Sequence, residues 1–359
     1  MSNYIEFNDR MAFHPGYYIK EIVDDSGLTQ ADFARRLGTT PKNLSDLING
    51  NESLSIDIAN KLSRLLGTSV VYWLNIQNSY DEMIAEIMSY EELQREKDVF
   101  RLIDYHYFVE YFGLPELKRN VDEQIRSVRN YLCVSSLCAL ENRDLAVSFR
   151  SYADVLSKTN IVNSNIMIQI AVNKALKTDS PKYNRKRFEE AARSILSLNK
   201  EPDGFLEKIS NEFREAGVIF VVLPNIKNSG INGVTKKISN KRLILVNNRR
   251  LYADTFWFTL YHEISHILNE ELGPSTDGNE EVTADEFAQD LLIPQSDYQL
   301  FLSRDSFDEK SIRTFADSIG RDPGIVLGRL LIDQKVSYNS SLNKRLRHYL
   351  EILPECYKE

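Results

Sequence analysis

The chain has 359 residues, of which 42% are hydrophobic and 27% are charged, and its formal net charge is −8. This length predicts two or three domains instead of one compact core, and the composition is that of an ordinary globular protein. The negative charge weighs against broad nucleic-acid binding, although a small local surface could still bind DNA. The first residues contain neither a basic segment nor an apolar one, so we expect no export signal.

The most apolar window, residues 251–268, is interrupted by four ionisable side chains. It therefore predicts a buried helix and not a membrane span. The cysteines are Cys133, Cys138 and Cys356, an odd number without Cys-x-x-Cys spacing. This pattern favours a reducing compartment and argues against a cysteine zinc site. We therefore expect a cytoplasmic protein that has no membrane contact.

The first 80 residues predict an all-α domain of five short helices. Thr29 and Thr40 are residue types that cap helix N-termini, and Gly38, Gly50 and Gly67 stand where helices end. Apolar residues recur at spacings of three and four, which gives each helix one buried side. The predicted helices are Pro15–Asp25, Thr29–Leu37, Pro41–Asn49, Ser55–Leu66 and Val70–Tyr80.

The tight turn between the second and third helices is typical of a helix-turn-helix motif, in which the second helix of the pair enters the major groove. Polar residues at the ends of both helices are candidates for contacts with bases or phosphates. They are Gln30, Thr40, Lys42, Asn43, Ser45 and Asn49. The helix pattern alone leaves a second interpretation open, a helical scaffold whose polar faces are merely solvated.

Four segments of this region resemble HigA-type antitoxins of the Xre repressor superfamily. They are His14–Tyr17, Leu28–Ala34, Ile48–Gly50 and Tyr72–Gln77. The resemblance covers residues 14–80 and implies operator DNA as a partner. Residues 1–80 hold seven Lys and Arg against nine Asp and Glu, a net charge of −2, so each monomer should bind DNA weakly. Because such repressors usually read two half-sites, we expect a homodimer.

Residues 81–202 are predicted to be a helical connector, with helices at Asp81–Val99, Val121–Leu140 and Arg185–Leu198. The aromatic stretch Tyr105–Phe112 is interpreted as core or as a partner surface. We interpret the whole region as an element that positions the two ends of the chain. Whether it also regulates them stays open.

Residues 203–350 predict an α+β domain with a small sheet. Apolar runs indicate strands at Val218–Leu223, Gly233–Ile238 and Arg242–Asn247, because such runs between turn residues are typical of buried strands. A largely apolar helix at Asp254–Leu268 follows. Residues 300–350 are predicted to form a helical tail.

The helix at 254–268 contains His262-Glu263-Ile264-Ser265-His266. Residues four apart lie on one helix face, so both histidines can bind one metal ion, and Glu263 is then placed to act on a water as general base. Zinc in hydrolases takes three protein ligands and leaves one position for water. Glu281 is the candidate third ligand. Asp285, one turn further on, is suited to accept a hydrogen bond from a ligand histidine.

The spacing of Glu281 and Asp285 resembles that of gluzincins, whereas metzincins would need Gly and His where Asn269 and Leu272 stand. The competing interpretation is a helix with an incidental histidine pair and ordinary surface acids. The chain has only five histidines, so the combination of both segments disfavours coincidence. We therefore predict one Zn²⁺ per chain as the cofactor.

Three segments, Phe256–Leu268, Glu281–Ala288 and Leu291–Pro294, resemble the ImmA/IrrE metallopeptidase family. Members of that family are known for cleaving Xre-type repressors, so the resemblance implies a zinc endopeptidase with a protein substrate. Fusion of both parts suggests that it cleaves a repressor, itself or a paired toxin. We expect an extended substrate to pair with an exposed edge of the strand Arg242–Asn247.

Two other functions stay open at this point. The first is a non-enzymatic antitoxin or repressor whose metal site is structural or sensory. The second is a protease whose N-terminal domain binds a protein partner instead of DNA. An open fourth ligand position and the presence of Glu263 favour the enzyme.

Overall fold

The structure is a computed structural model that describes residues 4–142, 157–201, 204–250, 252–271, 279–304 and 306–350. Predictions that involve Asp203, Leu251, Leu272 or Cys356 concern residues outside these ranges. The chain divides into two compact units, Met1–Arg95 and Glu96–Glu359. The predicted mainly helical fold with a small sheet is confirmed. The finer domain boundaries at residues 80 and 202 stay a prediction.

The first unit begins with a β-hairpin, which corrects the expectation of an all-α N-terminal domain. Strands β1 (Tyr4–Phe7) and β2 (Arg10–Phe13) pair antiparallel, with Tyr4 opposite Phe13. The two turn residues, Asn8 and Asp9, both have positive φ, at 51° and 59°. Two-residue hairpin turns of this kind match the twist of the strands, and Asn and Asp tolerate the left-handed conformation.

Five helices follow the hairpin and enclose a core that includes Trp73, Phe33 and Leu62. They are α1 (Pro15–Asp25), α2 (Gln30–Leu37), α3 (Pro41–Ile48), α4 (Ile56–Leu66) and α5 (Val70–Phe100). The predicted caps are in place. The Thr29 side chain accepts a hydrogen bond from the Asp32 amide, and Gly38 ends α2 in the left-handed conformation at φ 73°.

The last of these helices runs 31 residues without a break, whereas the sequence predicts two helices that meet at residue 80. Gln77 explains the continuity. Its side-chain amide donates to Asp81 at 2.8 Å, and its oxygen accepts from the Leu54 amide at 2.7 Å. This i to i+4 bond spans the expected boundary, and no Gly or Pro interrupts the segment.

The second unit opens with helices α6 (Tyr105–Phe112), α7 (Val121–Leu132), α8 (Lys158–Lys177) and α9 (Arg185–Ser194). Short 3-10 helices lie at Leu137–Glu141 and Ile195–Lys200. The helix predicted for Val121–Leu140 ends early because Cys133 adopts the left-handed conformation at φ 55°, which stops an α-helix.

A three-stranded sheet follows α10 (Phe205–Glu215). Its strands β3 (Val218–Leu223), β4 (Gly233–Ile238) and β5 (Lys241–Asn247) lie in the order β3-β5-β4. Strand β5 pairs parallel with β3 and antiparallel with β4, with Gly233 opposite Val246. The prediction of an exposed edge on the strand at 242–247 is therefore wrong, because that strand is central. The edge strands are β3 and β4.

Six helices complete the second unit. They are α11 (Ala253–Leu268), α12 (Asn279–Leu292), α13 (Gln295–Leu302), α14 (Glu309–Ser318), α15 (Pro323–Ile332) and α16 (Leu342–Leu346). Side chains from these helices, the sheet, α9 and α10 share one hydrophobic core. Among the residues that the structure describes, no helix is both long and apolar enough to cross a membrane.

The segment after α16 holds the start of α11 in place. Arg347 donates two hydrogen bonds to the Asp254 carboxylate, at 2.9 and 2.8 Å, and both side chains are largely buried. The Arg347 guanidinium also lies 3.7 Å from the centre of the Tyr252 ring. That ring stacks on Tyr349 at 4.9 Å. These contacts tie residues far apart in sequence to the helix that carries the histidine pair.

Replacing Arg347 with alanine would leave the buried Asp254 carboxylate without its partner, a change that typically costs about 3–5 kcal/mol. We expect the free energy of unfolding, measured by urea denaturation, to fall by that amount. The matched control is Arg193→Ala, which breaks an exposed pair with Glu189 and should cost under about 1 kcal/mol. Equal losses in the two variants would contradict the prediction.

Candidate functional site: a metal-binding cleft and a helix-turn-helix surface

Helix α11 presents two different sides. Trp257, Tyr261 and Ile264 are buried in the hydrophobic core. His262 and His266, one helical turn apart, line a cleft of about 1070 Å³ together with Glu263. One side of α11 therefore stabilises the fold and the other side carries the polar residues, as the sequence spacing predicts.

Three side chains that can each offer a metal ligand converge in this cleft. The Nε2 atoms of His262 and His266 are 3.1 Å apart. The Glu281 carboxylate of α12 lies 3.3 Å from His262 Nε2 through Oε2 and 3.6 Å from His266 Nε2 through Oε1. Helix α12 packs against α11 and buries Ala284, Ala288 and Leu292, and this packing brings Glu281 to the histidines.

The residues present fit a zinc ion. Zinc bonds to His nitrogen and carboxylate oxygen are about 2.0–2.1 Å long and usually tetrahedral, so neighbouring ligand atoms lie about 3.3–3.4 Å apart. The two Nε2 atoms are 3.1 Å apart, and the two Glu281 oxygens lie 3.3 and 3.6 Å from the nearer histidine nitrogen, all close to this value. Two imidazoles and one carboxylate are also the ligand set of several zinc hydrolases.

The Nδ1 atom of each histidine has a carboxylate partner. His262 Nδ1 lies 2.8 Å from Asp285 Oδ1, and His266 Nδ1 lies 2.9 Å from Glu271 Oε2. If the Nε2 atoms are the ligands, both Nδ1 atoms carry hydrogen and donate it to these carboxylates, which fixes the orientation of each ring. The sequence singled out Asp285 for such a role.

Glu271 was missed by sequence reasoning because it follows the end of α11 and lies off the helix spacing. The chain turns there through Glu270, at φ 59°, and the Glu271 amide donates to the His266 carbonyl at 2.9 Å. This turn brings the Glu271 carboxylate to Nδ1 of His266. No periodic pattern signals a carboxylate placed by a turn, so only the structure identifies it.

Glu263 is buried, with 6% of its surface exposed, and lies against Gly233 at the start of strand β4. A Cβ atom at position 233 would come within 2.6 Å of Glu263 Oε1. Any side chain at position 233 would therefore displace the carboxylate. Sequence reasoning did not identify Gly233, because the approach of β4 to α11 depends on the strand order.

Two buried tyrosines use their hydroxyl groups in hydrogen bonds within the fold and do not line the cleft. The Tyr261 hydroxyl donates to the Ala192 carbonyl at 3.1 Å, and the Tyr298 hydroxyl donates to Asp333 at 2.7 Å. Burial raises the pKa of both phenols. Both tyrosines are core residues. His348 is exposed and lies 3.7 Å from Asp322.

The carboxylates around His262 control its protonation. Burial alone would lower the pKa of its imidazole. Hydrogen bonds to Asp285 and Glu281, together with the negative charge of Glu263, outweigh burial and raise that pKa to about 10. At neutral pH the ring therefore holds a proton that a metal ion would have to displace.

The predicted DNA-contact residues lie on α2 and α3 of the first unit. The exposed ones are Gln30, Thr40, Lys42, Asn43 and Asn49, while Ser45 is half-buried. Thr40 caps α3 by accepting a hydrogen bond from the Asn43 amide at 3.1 Å. Asn49, at the other end of α3, donates its side-chain amide to the Ser45 carbonyl at 2.8 Å. Helix α3 thus presents polar side chains at both ends.

Two family models match the chain. Residues 217–320, which include the sheet and all the metal-site residues, match a peptidase family described as IrrE N-terminal-like domain. Residues 19–73, which include the predicted DNA-contact residues, match a family described as Helix-turn-helix. The chain joins a helix-turn-helix domain to an IrrE-like peptidase domain. Both resemblances stated from the sequence are confirmed.

Relatives of known name cover about a fifth of the chain, at its N-terminal end. An uncharacterized HTH-type transcriptional regulator of Escherichia coli (strain K12) is 37% identical over 79 residues, or 21% of this chain and 84% of that protein. Antitoxin HigA-1 of Vibrio cholerae is 32% identical over 80 residues, or 22% of this chain and 75% of the antitoxin. A putative antidote protein of a plasmid maintenance system from Nostoc punctiforme, of known crystal structure, is 36% identical. The match covers 23% of this chain and 92% of the antidote protein, with a TM-score of 0.23.

We expect Zn²⁺ binding near pH 7 to release about one proton from His262, because the imidazole is protonated below about pH 10 and must be neutral as a ligand. The apparent dissociation constant should rise up to about tenfold for each unit of pH below that pKa. Calorimetry in buffers of different ionisation enthalpy measures the proton count.

The matched variants for this measurement are both on α12. Asp285→Asn removes a carboxylate that raises the pKa of His262, so fewer protons should be released. Glu286→Gln changes an exposed neighbour and should leave the count unchanged. Proton release that depends on neither pH nor Asp285 would contradict this account.

Proposed function

We propose that the protein is a DNA-binding regulator of the antitoxin type that also carries a zinc-dependent endopeptidase. The single observation that carries the enzymatic part is the convergence of His262, His266 and Glu281 beside a buried Glu263 in an open cleft. The match to a peptidase family over the same residues supports it. The substrate that we propose is a repressor, a paired toxin or a copy of the chain itself.

In this proposal His262, His266 and Glu281 hold one Zn²⁺ ion. The bound ion would lower the pKa of a water molecule and polarise the peptide carbonyl. Glu263 accepts the proton of the attacking water and later delivers it to the leaving amine. Asp285 and Glu271 keep the two imidazoles in the tautomer and orientation that ligation needs.

Strand β4 is the proposed path of the substrate. Among the described strands it lies at the edge and pairs with β5 alone, and its first residue lies against Glu263. An extended peptide that pairs with β4 through main-chain hydrogen bonds would pass directly over Glu263. Because Gly233 has no side chain, the scissile bond can approach the carboxylate closely. This assignment replaces the central strand β5 with the edge strand β4.

The Glu263→Gln variant tests the enzymatic proposal. Loss of the general base should lower the cleavage rate by about a hundredfold or more, while the amount of bound zinc stays at one ion per chain. The measurement is mass spectrometry of cleavage products in cells that express either protein, with zinc content determined on the purified chains.

The control for this test is Glu286→Gln, which removes a carboxylate from the exposed side of α12. It should leave cleavage unchanged. Unchanged products and partner levels in the Glu263→Gln cells, with zinc retained, would overturn the protease and favour a structural or sensory metal site.

The N-terminal unit is proposed to bind operator DNA as a dimer. The family match to residues 19–73 and the exposed polar residues of α3 support this part. Each copy would place the start of α3 in the major groove, with Lys42 and Asn43 directed at phosphates or base edges. Gln30, Thr40, Ser45 and Asn49 complete the proposed contact set.

Changing Lys42 and Asn43 together to alanine should weaken specific operator binding by at least about tenfold, because each good base contact is worth about 1–3 kcal/mol. A gel-shift titration at fixed salt measures the loss. Lys20→Ala, which changes an exposed residue of α1, is the control and should bind normally.

Unaltered operator binding in the double variant would remove α3 as the reading element. The alternative function for this unit is recognition of a protein partner, which the net charge of −2 over residues 1–80 favours. In that case the domain binds a protein instead of DNA, and the double variant should lose that protein partner.

A further inference from the structure

The wall of the cleft carries four carboxylates and four guanidinium groups. The acids are Asp254, Glu263, Glu281 and Asp285, and the bases are Arg249, Arg250, Arg329 and Arg347. Most of these charges are paired inside the protein. Arg347 binds Asp254, and Arg329 donates to Asp333 at 2.9 Å. The three remaining acids surround the two histidines.

Arg249 and Arg250 differ from the other charged residues of the cleft. Both side chains are exposed, and within the described part of the chain neither forms an ion pair. The guanidinium groups of the cleft wall that have no ion pair among the described residues are therefore concentrated in two adjacent residues. Unpaired guanidinium groups at a binding cleft favour carboxylate or phosphate groups, which they can bind through two parallel hydrogen bonds.

The backbone holds the two arginines at one end of the proposed substrate path. They follow β5, and the last residue of that strand, Asn247, donates its amide to the Asn232 carbonyl at 3.1 Å. Asn232 directly precedes the first residue of β4. The Asn247 side chain also bonds the Ile231 carbonyl at 2.9 Å and accepts from the Arg249 amide at 2.9 Å. A peptide that runs along β4 and past Gly233 would meet the arginine side chains there.

We propose that this cleft selects peptides that carry an acidic side chain at the Arg249 and Arg250 end, on one side of the bond to be cleaved. The inference deepens the proposed peptidase function and rests on it for the position of the scissile bond. The recognition itself requires only the cleft and the two arginines, so it can be measured as binding in the absence of cleavage.

The test uses the full-length, zinc-loaded Glu263→Gln protein and two pools of fluorescein-labelled peptides. One pool has random sequence enriched in Glu, and the second is identical except that Gln replaces each Glu. We expect the Glu pool to bind about fivefold to tenfold more tightly by fluorescence anisotropy, which corresponds to the strength of two partly exposed ion pairs. Changing both Arg249 and Arg250 to Glu in this protein should abolish or reverse the preference.

The matched control changes Arg304 and Lys310 to Glu, two exposed basic residues that do not line the cleft. It alters the net charge equally and should keep the preference. An equal loss in both variants, a preference that survives the Arg249 and Arg250 change, or no binding of either pool overturns the inference. If the variant with Glu at positions 249 and 250 binds a labelled DNA duplex more weakly but keeps the peptide preference, the two arginines are assigned to nucleic-acid binding instead.

A failure of the proposed peptidase function and a failure of the charge selection give different results. If the protein with its native Glu263 gives the same products in cells as the Glu263→Gln variant, yet the Glu pool binds through Arg249 and Arg250, the peptidase proposal fails and acidic-peptide binding stands. If that protein cleaves both pools with equal efficiency and the anisotropy measurement gives no preference, the peptidase stands and the charge selection fails.

Discussion

The rest of the second unit depends on holding two imidazoles and a carboxylate within 3.6 Å of one another at the surface of a buried helix. Polar groups at such density are costly to bury unless each has a partner. Asp285 and Glu271 supply partners on the far side of each ring. Together with Glu263 and Glu281 they surround the histidines with negative charge, which is the environment that a divalent cation neutralises.

The helix, ion pair and strand that position this cluster also stabilise the fold. Helix α11 buries Trp257 and Tyr261 on one side and turns its histidines to the other. Its first turn is held by the buried pair of Asp254 and Arg347, which ties the end of the described chain to it. The edge strand β4 approaches so closely that only glycine fits at position 233. The packed elements on each side therefore hold the site residues in position.

The helix-turn-helix domain bears on which substrates the proposed peptidase site would cleave. The proposed DNA binding by the same chain favours one or a few regulatory cuts over general digestion by the proposed peptidase. A simple sequence requirement, such as an acidic side chain beside the scissile bond, would suit that use because it reduces the number of proteins that the site could cleave. The weak net charge of the first unit fits the same idea, since its DNA affinity would depend on pairing two copies.

Much of the local structure could be predicted from the sequence. The i to i+4 spacing of His262 and His266 places both on one helix face whatever the tertiary fold, and most helix boundaries agree within one residue because caps such as Thr29 and Thr40 act locally. The N-terminal hairpin was also encoded locally, in Asn8 and Asp9, although sequence reasoning overlooked that signal.

Other features required the tertiary structure. The order β3-β5-β4 makes β4 the edge strand and sets Gly233 against Glu263, and a turn brings Glu271 to His266. The sequence by itself determined which side chains share a helix face, because that depends on a fixed local period. Only the tertiary structure decided what meets that face, because strand order and packing join segments between which the sequence carries no periodic relation.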